Sequence, residues 1–571
     1  MDRPENGDKP LIVQSDRSIL LEVNSPKYEE TRNALAPFAE LIKSPEHIHT
    51  YRITPLSLWN AAAAGHTIAE ILKTLEKYSK YDVPGNIAVE IREYFSRYGR
   101  IRITEGPDTE TLLLKADTEP LMLEILNQRA VAALSLEKRD KCSAAFPLMK
   151  RGIIKQALIK IGYPVEDLAG YVDGDPCPLN LREKAVSGEP FTVRRYQKDA
   201  AEIFFAAGSR RGGSGVIVLP CGAGKTIVGM AVMHLVNTKT LILTTNITAA
   251  KQWKRELLDK TDIREQDIGE YTGEVKEIRP ITIATYQIIT YRKKRTEEFP
   301  HVSIFNRNKW GLIIYDEVHL LPAPVFRITA LIQATRRLGL TATLVREDGK
   351  EEEVFSLIGP KKYDAPWKVL EEQGWIAQAV CTEIRVELPD TLKLEYATAE
   401  NRRKIRVAAE NPLKQQLIRH LLGMHKGDLV LIIGQYLDQI HDIAGLFRIP
   451  IITGATPTSE REALYRDFRA GKILRLVVSK VGNFAVDLPD ANVAIQVSGT
   501  FGSRQEEAQR LGRILRPKKN GTQARFYSLV TRDTCEQDFA MNRQLFLTEQ
   551  GYNYIIMDGA KFVTTHPAGK P

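Results

Sequence analysis

The sequence predicts an α/β protein in which two tandem parallel-sheet domains follow an α+β N-terminal domain. Three observations carry this reading. From about residue 190, short apolar strands alternate with helices, the pattern of a parallel sheet covered on both faces. A second series of strands and helices begins near residue 414. The first third mixes strand-like and helix-like stretches without that alternation. The expected divisions are 1–175 for the N-terminal domain, 186–385 and 386–556 for the two parallel-sheet domains, and 557–571 for a tail.

A chain of 571 residues has room for roughly three or four ordinary domains. Its 80 Lys and Arg against 71 Asp and Glu leave a net charge of +9, a mildly basic balance that suits nucleic acid without requiring it. The five cysteines are Cys142, Cys177, Cys221, Cys381 and Cys535. Their odd number, scatter and lack of a CxxC pair argue for a reducing compartment and against a disulfide framework or zinc ribbon. The polar stretch Met1 to Lys9 does not read as a secretory signal. No apolar run approaches the length of a membrane span, so a cytoplasmic protein without a membrane partner is expected.

In the N-terminal third, residues 11–15 and 19–23 read as strands about a turn. Thr54-Pro55 is a helix start, with a capping side chain followed by proline at the first helical position. Ile68, Ile71, Leu72, Leu75 and Tyr78 keep the spacing of one helix face and predict core. Residues 98–103 and 112–114 predict further strands. His47, His49 and His66 lack the cysteine or carboxylate spacing of a metal site and read as ordinary histidines. Lys150, Arg151, Lys155 and Lys160 read as a solvated helix face, with nucleic-acid contact as the alternative. The turn-rich stretch Asp173 to Pro178 closes this domain.

The sharpest local signal is the run Val216 to Thr226, VIVLPCGAGKT. A buried strand turns through Pro220, Cys221, Gly222, Ala223 and Gly224 into a helix beginning at Lys225 and Thr226. Glycines let backbone N–H groups converge on phosphate oxygens at a helix N-terminus. In that frame Lys225 reaches the β- and γ-phosphates and the Thr226 hydroxyl holds Mg²⁺. Leu219 stands where the longer phosphate-loop pattern has glycine, and a tight turn before an ordinary helix is the bland alternative. The strand ending in Tyr315 then delivers Asp316-Glu317-Val318-His319. Ligand groups on open parallel sheets gather at the strands' C-terminal edge, so Asp316 is expected on Mg²⁺, with Glu317 orienting and deprotonating the attacking water.

The second series has no phosphate loop of its own. Its chemistry lies in Gln505 to Arg516, where Arg513 and Arg516 are three residues apart and share a helix face. Two guanidiniums on such a domain suit a nucleotide bound by the first domain; a basic surface helix is the alternative.

Gly222-Ala-Gly-Lys-Thr226, Asp316-Glu-Val-His319, Leu340-Thr-Ala-Thr-Leu344 and Gln509-Arg-Leu-Gly-Arg513 together resemble superfamily 2 helicases. Leu340 to Asp348, Leu357-Ile-Gly-Pro-Lys361, Gln435, Ser479-Lys-Val-Gly482 and Asp487 to Ala491 narrow the resemblance to the XPB-like DNA helicases. Tyr51 to Trp59 is similar to their bacterial branch. The resemblance spans residues 190 to about 535 and implies two RecA-like motor domains driving a 3′-to-5′ DNA helicase with ATP and Mg²⁺. It places Arg194, Gln197 and Asp487 at the nucleotide, and Thr245, Asn246, Thr285 and Gln435 on the DNA strand. Thr341 and Thr343 would couple ATP to DNA grip. The family's thumb is matched here only by the short stretch 394–406, so no large thumb is expected.

The resemblance further implies a role in DNA repair, a damage-recognition-like N-terminal domain, a nucleoid-associated location, and a nuclease or transcription-repair protein as partner. Arg346, Glu347 and Asp348 form a mixed-sign triplet suited to parting a duplex, since Arg can hold a phosphate while the carboxylates repel the other strand. A charged turn is the alternative. Two further readings of the whole chain stay open: a duplex translocase that separates no strands, and an ATP-switched scaffold for a protein partner.

Overall fold

In the computed structural model the described residues are 9–43, 47–108, 110–188, 190–220, 222–292, 300–332, 335–342, 350–365, 367–375, 377–479, 491–499, 523–549, 552 and 554–567. The chain packs as two compact units, one holding most of residues 1–365 and the other most of 366–571.

The first unit begins with antiparallel strands. Leu11–Val13 pairs with Ser18–Glu22, which pairs with Ile48–Arg52. The helix Pro55–Ala63 starts as the sequence predicts: the Thr54 side chain accepts from Ser57 N–H, and the Ser57 side chain returns a bond from the Thr54 N–H. Such a cap contributes about 1 kcal/mol. In helix Ile68–Tyr78 the predicted stripe buries Ile71, Leu75 and Tyr78. A second sheet runs in the order Glu137–Lys138, Ser143–Pro147, Thr111–Ala116, Ile101–Glu105, Val165–Asp167. His49 is buried against the Tyr28 hydroxyl at 3.0 Å, and His66 sits beside Glu70 at 3.9 Å.

The helix Arg151–Lys160 corrects the expectation of a solvated basic face. Arg151 and Lys155 are buried, and both reach Asp167, at 2.8 and 3.1 Å. The reason lies in Gly152, which packs so close to the helix Ala323–Leu331 that a Cβ there would lie 2.3 Å from the Ala330 carbonyl oxygen. That approach sinks the adjoining cations, and the carboxylate of Asp167 compensates them. Lys150 Nζ donates to the Leu134 carbonyl; Lys160 alone of the four is exposed.

The second half of this unit is a seven-stranded parallel sheet. Its order is Ile268–Tyr271, Ile281–Thr285, Thr240–Thr244, Leu312–Asp316, Arg336–Thr341, Ser214–Val218, Lys361–Asp364. The strand ending in Thr341 thus separates the phosphate-loop strand from the one bearing Asp316. Parallel strands need a crossover each, and because all seven run in one direction their C-terminal ends lie at one edge. Val216, Leu241, Leu243, Ile313, Tyr315, Leu357 and Ile358 belong to the core cluster on this sheet.

The second unit has its own seven-stranded parallel sheet, ordered Ile451–Ile452, Arg475–Ser479, Val430–Gly434, Val493–Gln496, Ala524–Thr531, Ala379–Val386, Tyr554–Asp558. The expected division at 385/386 falls inside the strand Ala379–Val386, which pairs along its whole length with Ala524–Thr531. The stretch 557–571 carries the helix Gly559–Thr565, whose Phe562 is buried in the core of this sheet. Residues 390–409 form two helices, Asp390–Thr398 and Asn401–Ala409. Both halves of the α/β prediction therefore hold: two seven-stranded parallel sheets follow an α+β region. Among the described residues no helix is long and apolar enough to cross a membrane.

Candidate active site

The phosphate-loop helix Lys225–Val236 begins at Gly224, whose φ of 83° is in the left-handed region open to glycine. A Cβ there would lie 2.5 Å from Gln197 Nε2, so glycine also permits the close approach of Gln197. The Ala223 N–H closes the turn on the Pro220 carbonyl at 3.2 Å, and Gly222 has φ 84°. Lys225 and Thr226 occupy the helix's first turn, where backbone N–H groups lack intrahelical partners and favour anions.

At the same sheet edge, Lys225 Nζ lies 3.1 Å from Glu317 Oε1, their side chains 12% and 19% exposed. Glu317 has φ 51°, a conformation uncommon outside glycine and often found at functional sites. Asp316 keeps part of its surface open. Desolvation, reinforced by the neighbouring Glu317 carboxylate, pushes its pKa up to about 6. The indole of Trp253 donates to Asp316 Oδ2 at 3.0 Å, and the Tyr286 hydroxyl donates to the Asp316 carbonyl at 3.0 Å. His319 Nδ1 and Thr341 Oγ1 are 2.7 Å apart, while the Thr341 carbonyl accepts from Leu219 N–H at 2.9 Å. The Asp-Glu-Val-His turn, the Thr341 strand and the phosphate-loop strand are thereby tied side by side.

Arg194 and Gln197 open the helix Arg195–Phe205. The Gln197 carboxamide oxygen accepts from the Arg194 N–H at 2.9 Å, and an Arg194 guanidinium nitrogen donates to the Tyr196 hydroxyl at 3.2 Å. With Gln197 against Gly224, this pair lies beside the phosphate loop.

Asn246 caps the helix Ile247–Lys260 by accepting from Ala249 N–H at 2.9 Å, and Thr245 lies beside it, both half-buried. Thr285 differs. It is buried, and its hydroxyl accepts from Ile288 N–H at the start of the turn Tyr286–Ile289. In the second unit, Gln435 follows the strand Val430–Gly434, and its N–H donates to Ser498 Oγ at 2.9 Å. Cys221, Thr343, Arg346, Glu347, Asp348, Asp487, Arg513 and Arg516 lie outside the described residues.

Trp253 and Tyr286 are not singled out by the sequence, and His319 enters there only as the last residue of the Asp-Glu-Val-His motif, without a role of its own. Ala250, Trp253 and Leu257 do mark the buried face of their helix, but periodicity says nothing about where an indole N–H points. The donor set suits Mg²⁺, which takes hard oxygen ligands and usually one or two carboxylates alongside phosphates: Thr226 supplies a hydroxyl, and Asp316 a carboxylate whose Oδ2 accepts from the Trp253 indole while its backbone carbonyl accepts from the Tyr286 hydroxyl.

The chain is 53% identical over 551 residues to a protein of Mycobacterium tuberculosis named DNA 3'-5' helicase XPB, covering 96% of this chain and 98% of that one. The chain belongs to the XPB helicase family. A relative of the same name from Kineococcus radiotolerans is 52% identical over 96% of this chain and 97% of its own length. A Drosophila melanogaster XPB, named as a helicase/translocase subunit of the general transcription and DNA repair factor IIH, is 30% identical over 99% of this chain and 80% of its own. Residues 370–567 match the ERCC3/RAD25/XPB C-terminal helicase family, and 190–346 match the type III restriction enzyme res subunit family. Residues 11–140 match a family described as helicase conserved C-terminal domain. XPB membership carries with it the use of ATP.

Proposed function

We propose that this chain is an ATP-driven 3′-to-5′ DNA helicase or translocase acting in DNA repair. The observation that carries the proposal is the meeting of Lys225 and Glu317, beside Asp316, at one edge of a parallel sheet, in a chain similar along nearly its whole length to proteins named DNA 3'-5' helicase XPB.

The chain's own residues divide the work. The loop Pro220 to Gly224 and the N–H groups opening the Lys225 helix cradle phosphate oxygens, and Lys225 neutralises the β- and γ-phosphates. Thr226 and Asp316 hold Mg²⁺, which when bound offsets charge on the transferring phosphoryl group. Glu317 orients water and takes its proton. Arg194 and Gln197 support the nucleotide from the far side of Gly224, and Asp487 is assigned to the nucleotide on its motif. Arg513 and Arg516 are assigned to the charge that builds on the γ-phosphate. His319 and Thr341 transmit the state of the Asp-Glu turn along the neighbouring strand, with Thr343 continuing that link. Thr245, Asn246 and Gln435 contact the DNA backbone, where Thr285 serves by shaping its turn. Backbone contacts of this kind make binding sequence-tolerant and salt-sensitive.

Residues 1–175 are assigned to substrate choice and the two parallel-sheet domains to the motor; Arg346, Glu347 and Asp348 are assigned to strand separation. The test is ATPase activity with no DNA, single-stranded, duplex and forked DNA, run beside strand-displacement and triplex-displacement assays. Stimulation by DNA with strand displacement is the expected result. Triplex displacement without strand separation would mean a duplex translocase, and ATPase activity indifferent to DNA would overturn the motor reading. Replacing the triplet by alanine should lower strand separation far more than DNA-stimulated ATPase.

A further inference from the structure

The helix Ile247–Lys260 touches three functional regions at once. Its first residues follow Thr245 and Asn246, the proposed strand contacts, and Asn246 is its N-cap. Seven residues on, about 10 Å along the axis, Trp253 is buried and its indole N–H meets Asp316 Oδ2 at 3.0 Å. The same ring lies against the phosphate-loop helix, where a Cβ on Gly229 would sit 2.5 Å from the indole edge. One residue further, Lys254 pairs with Glu265 and Glu270 at 3.3 and 3.2 Å, anchoring the middle of the helix to the segment beyond it. The exposed side carries Lys251 and Arg255.

The geometry points to Trp253 as the positioning residue for Asp316, and as the group through which strand binding at Thr245 and Asn246 reaches the metal carboxylate. This inference rests on the ATP-site reading above. A carboxylate that binds a metal through one oxygen needs its other oxygen fixed, and hydrogen-bonded partners of metal ligands typically carry 10- to 100-fold in metal affinity. Trp253 supplies that bond from a side chain too large and too closely packed to turn independently of its helix. Because the ring fills the space above Gly229, a shift or tilt of the helix carries the indole with it and re-aims the carboxylate. The nucleotide phosphates, held by the adjoining helix, keep their place. Strand binding therefore acts on the metal more than on the nucleotide.

The variant Trp253→Phe keeps an aromatic ring over Gly229 and removes the N–H. A matched control is Trp310→Phe: Trp310 is also buried in this unit, and its indole N–H donates to the Ile304 carbonyl at 2.9 Å, within its own local turn. Binding of a fluorescent, non-hydrolysable ATP analogue to the full chain is titrated with Mg²⁺, and separately without metal, with and without single-stranded DNA. Thermal unfolding of each variant is followed in parallel.

The expected result is that Trp253→Phe raises the Mg²⁺ concentration for half-maximal effect about ten-fold and leaves metal-free analogue affinity within about two-fold. It should also remove most of any DNA-induced change in Mg²⁺ dependence, while Trp310→Phe changes none of these. An unaltered Mg²⁺ dependence in folded Trp253→Phe, or an equal shift in Trp310→Phe, would overturn the assignment. Should Trp253→Phe unfold, Trp253→His, which offers a ring N–H on a smaller side chain, decides: recovery of Mg²⁺ dependence supports the role and no recovery in a folded protein refutes it. If the wild-type chain binds the analogue no better with Mg²⁺ than without, the ATP-site reading itself fails, a result distinct from any difference among the variants.

Discussion

Two clusters in the first unit are built from the same chemistry, a lysine beside acidic groups, and they serve opposite ends. At the sheet edge, Lys225 and Glu317 meet at 3.1 Å with side chains 12% and 19% exposed. Under the N-terminal module, Asp167 is closed off at 8% exposure by Arg151 at 1% and Lys155 at 6%. The Asp167 carboxylate is saturated. Arg151 Nε and Nη2 grip both carboxylate oxygens, and another of its nitrogens donates to the Gly170 carbonyl. Around it stand Arg337, buried on the strand Arg336–Thr341, and the Tyr171 ring, which lies under the guanidiniums of Arg151, Arg336 and Arg337. Burial alone would raise the Asp167 pKa, but Arg151 and Lys155 hold it below the usual carboxylate range. At the sheet edge the balance is reversed: Asp316 is pushed up to about 6 by desolvation and by Glu317. The difference shows how a structural ion cluster is recognised. Its carboxylate is filled by donors from the fold and closed to solvent, whereas a site built for a ligand leaves surface open beside its carboxylates.

The largest effect expected is at Lys225. Lys225→Ala should reduce ATP turnover about 10³-fold, on the scale of losing a donor aimed at developing charge, with a melting temperature close to wild type. Normal turnover in the folded variant would erase the distinction drawn between the clusters. Glu317→Gln keeps the shape but loses the base, so hydrolysis should drop roughly 10²–10⁴-fold while nucleotide binding survives; equilibrium binding and single-turnover kinetics separate the two.

For the buried cluster the sign of the contrast flips. Asp167→Asn leaves three buried cations without their carboxylate and should cost about 3–5 kcal/mol of stability, measured by denaturant unfolding, with ATPase per folded molecule retained. A variant as stable as wild type would show that the cluster is not the structural anchor described.

The smallest effect is expected at Lys155, the cation in excess over Arg151. Lys155→Met should change stability by less than about 1 kcal/mol at pH 7, because Asp167 keeps Arg151. Its pH dependence is the sharper measurement. Burial lowers the Lys155 pKa from 10.5 to about 8. Between those values the unfolded chain holds a proton that the folded chain has lost, so stability from this group rises as pH increases from about 8 to 10.5. Below pH 8 both states are protonated and the contribution is flat. Urea midpoints across that range should show the rise in wild type and its loss in Lys155→Met.

What the sequence determined by itself was the placement of motifs on strands and turns. Gly224 with Lys225, and Tyr315 with Asp316 and Glu317, are read correctly because local sequence dictates where a strand stops, and a parallel sheet gathers those stops at one edge. Thr54-Pro55 and the stripe Ile71, Leu75 and Tyr78 were legible for the same reason, since caps and helix faces depend on neighbours within a turn or two. The tertiary structure alone decided the fate of Arg151 and Lys155. Two basic residues four apart look like a solvated face until Gly152 brings their helix within touching distance of Ala330, Asp167 arrives from a separate strand, and Arg337 from another sheet. It alone decided that the strand Ala379–Val386 pairs with Ala524–Thr531, almost 150 residues away in sequence. It also joined Trp253 to Asp316 across 63 residues. Such contacts depend on which elements are brought side by side, and no local propensity encodes that.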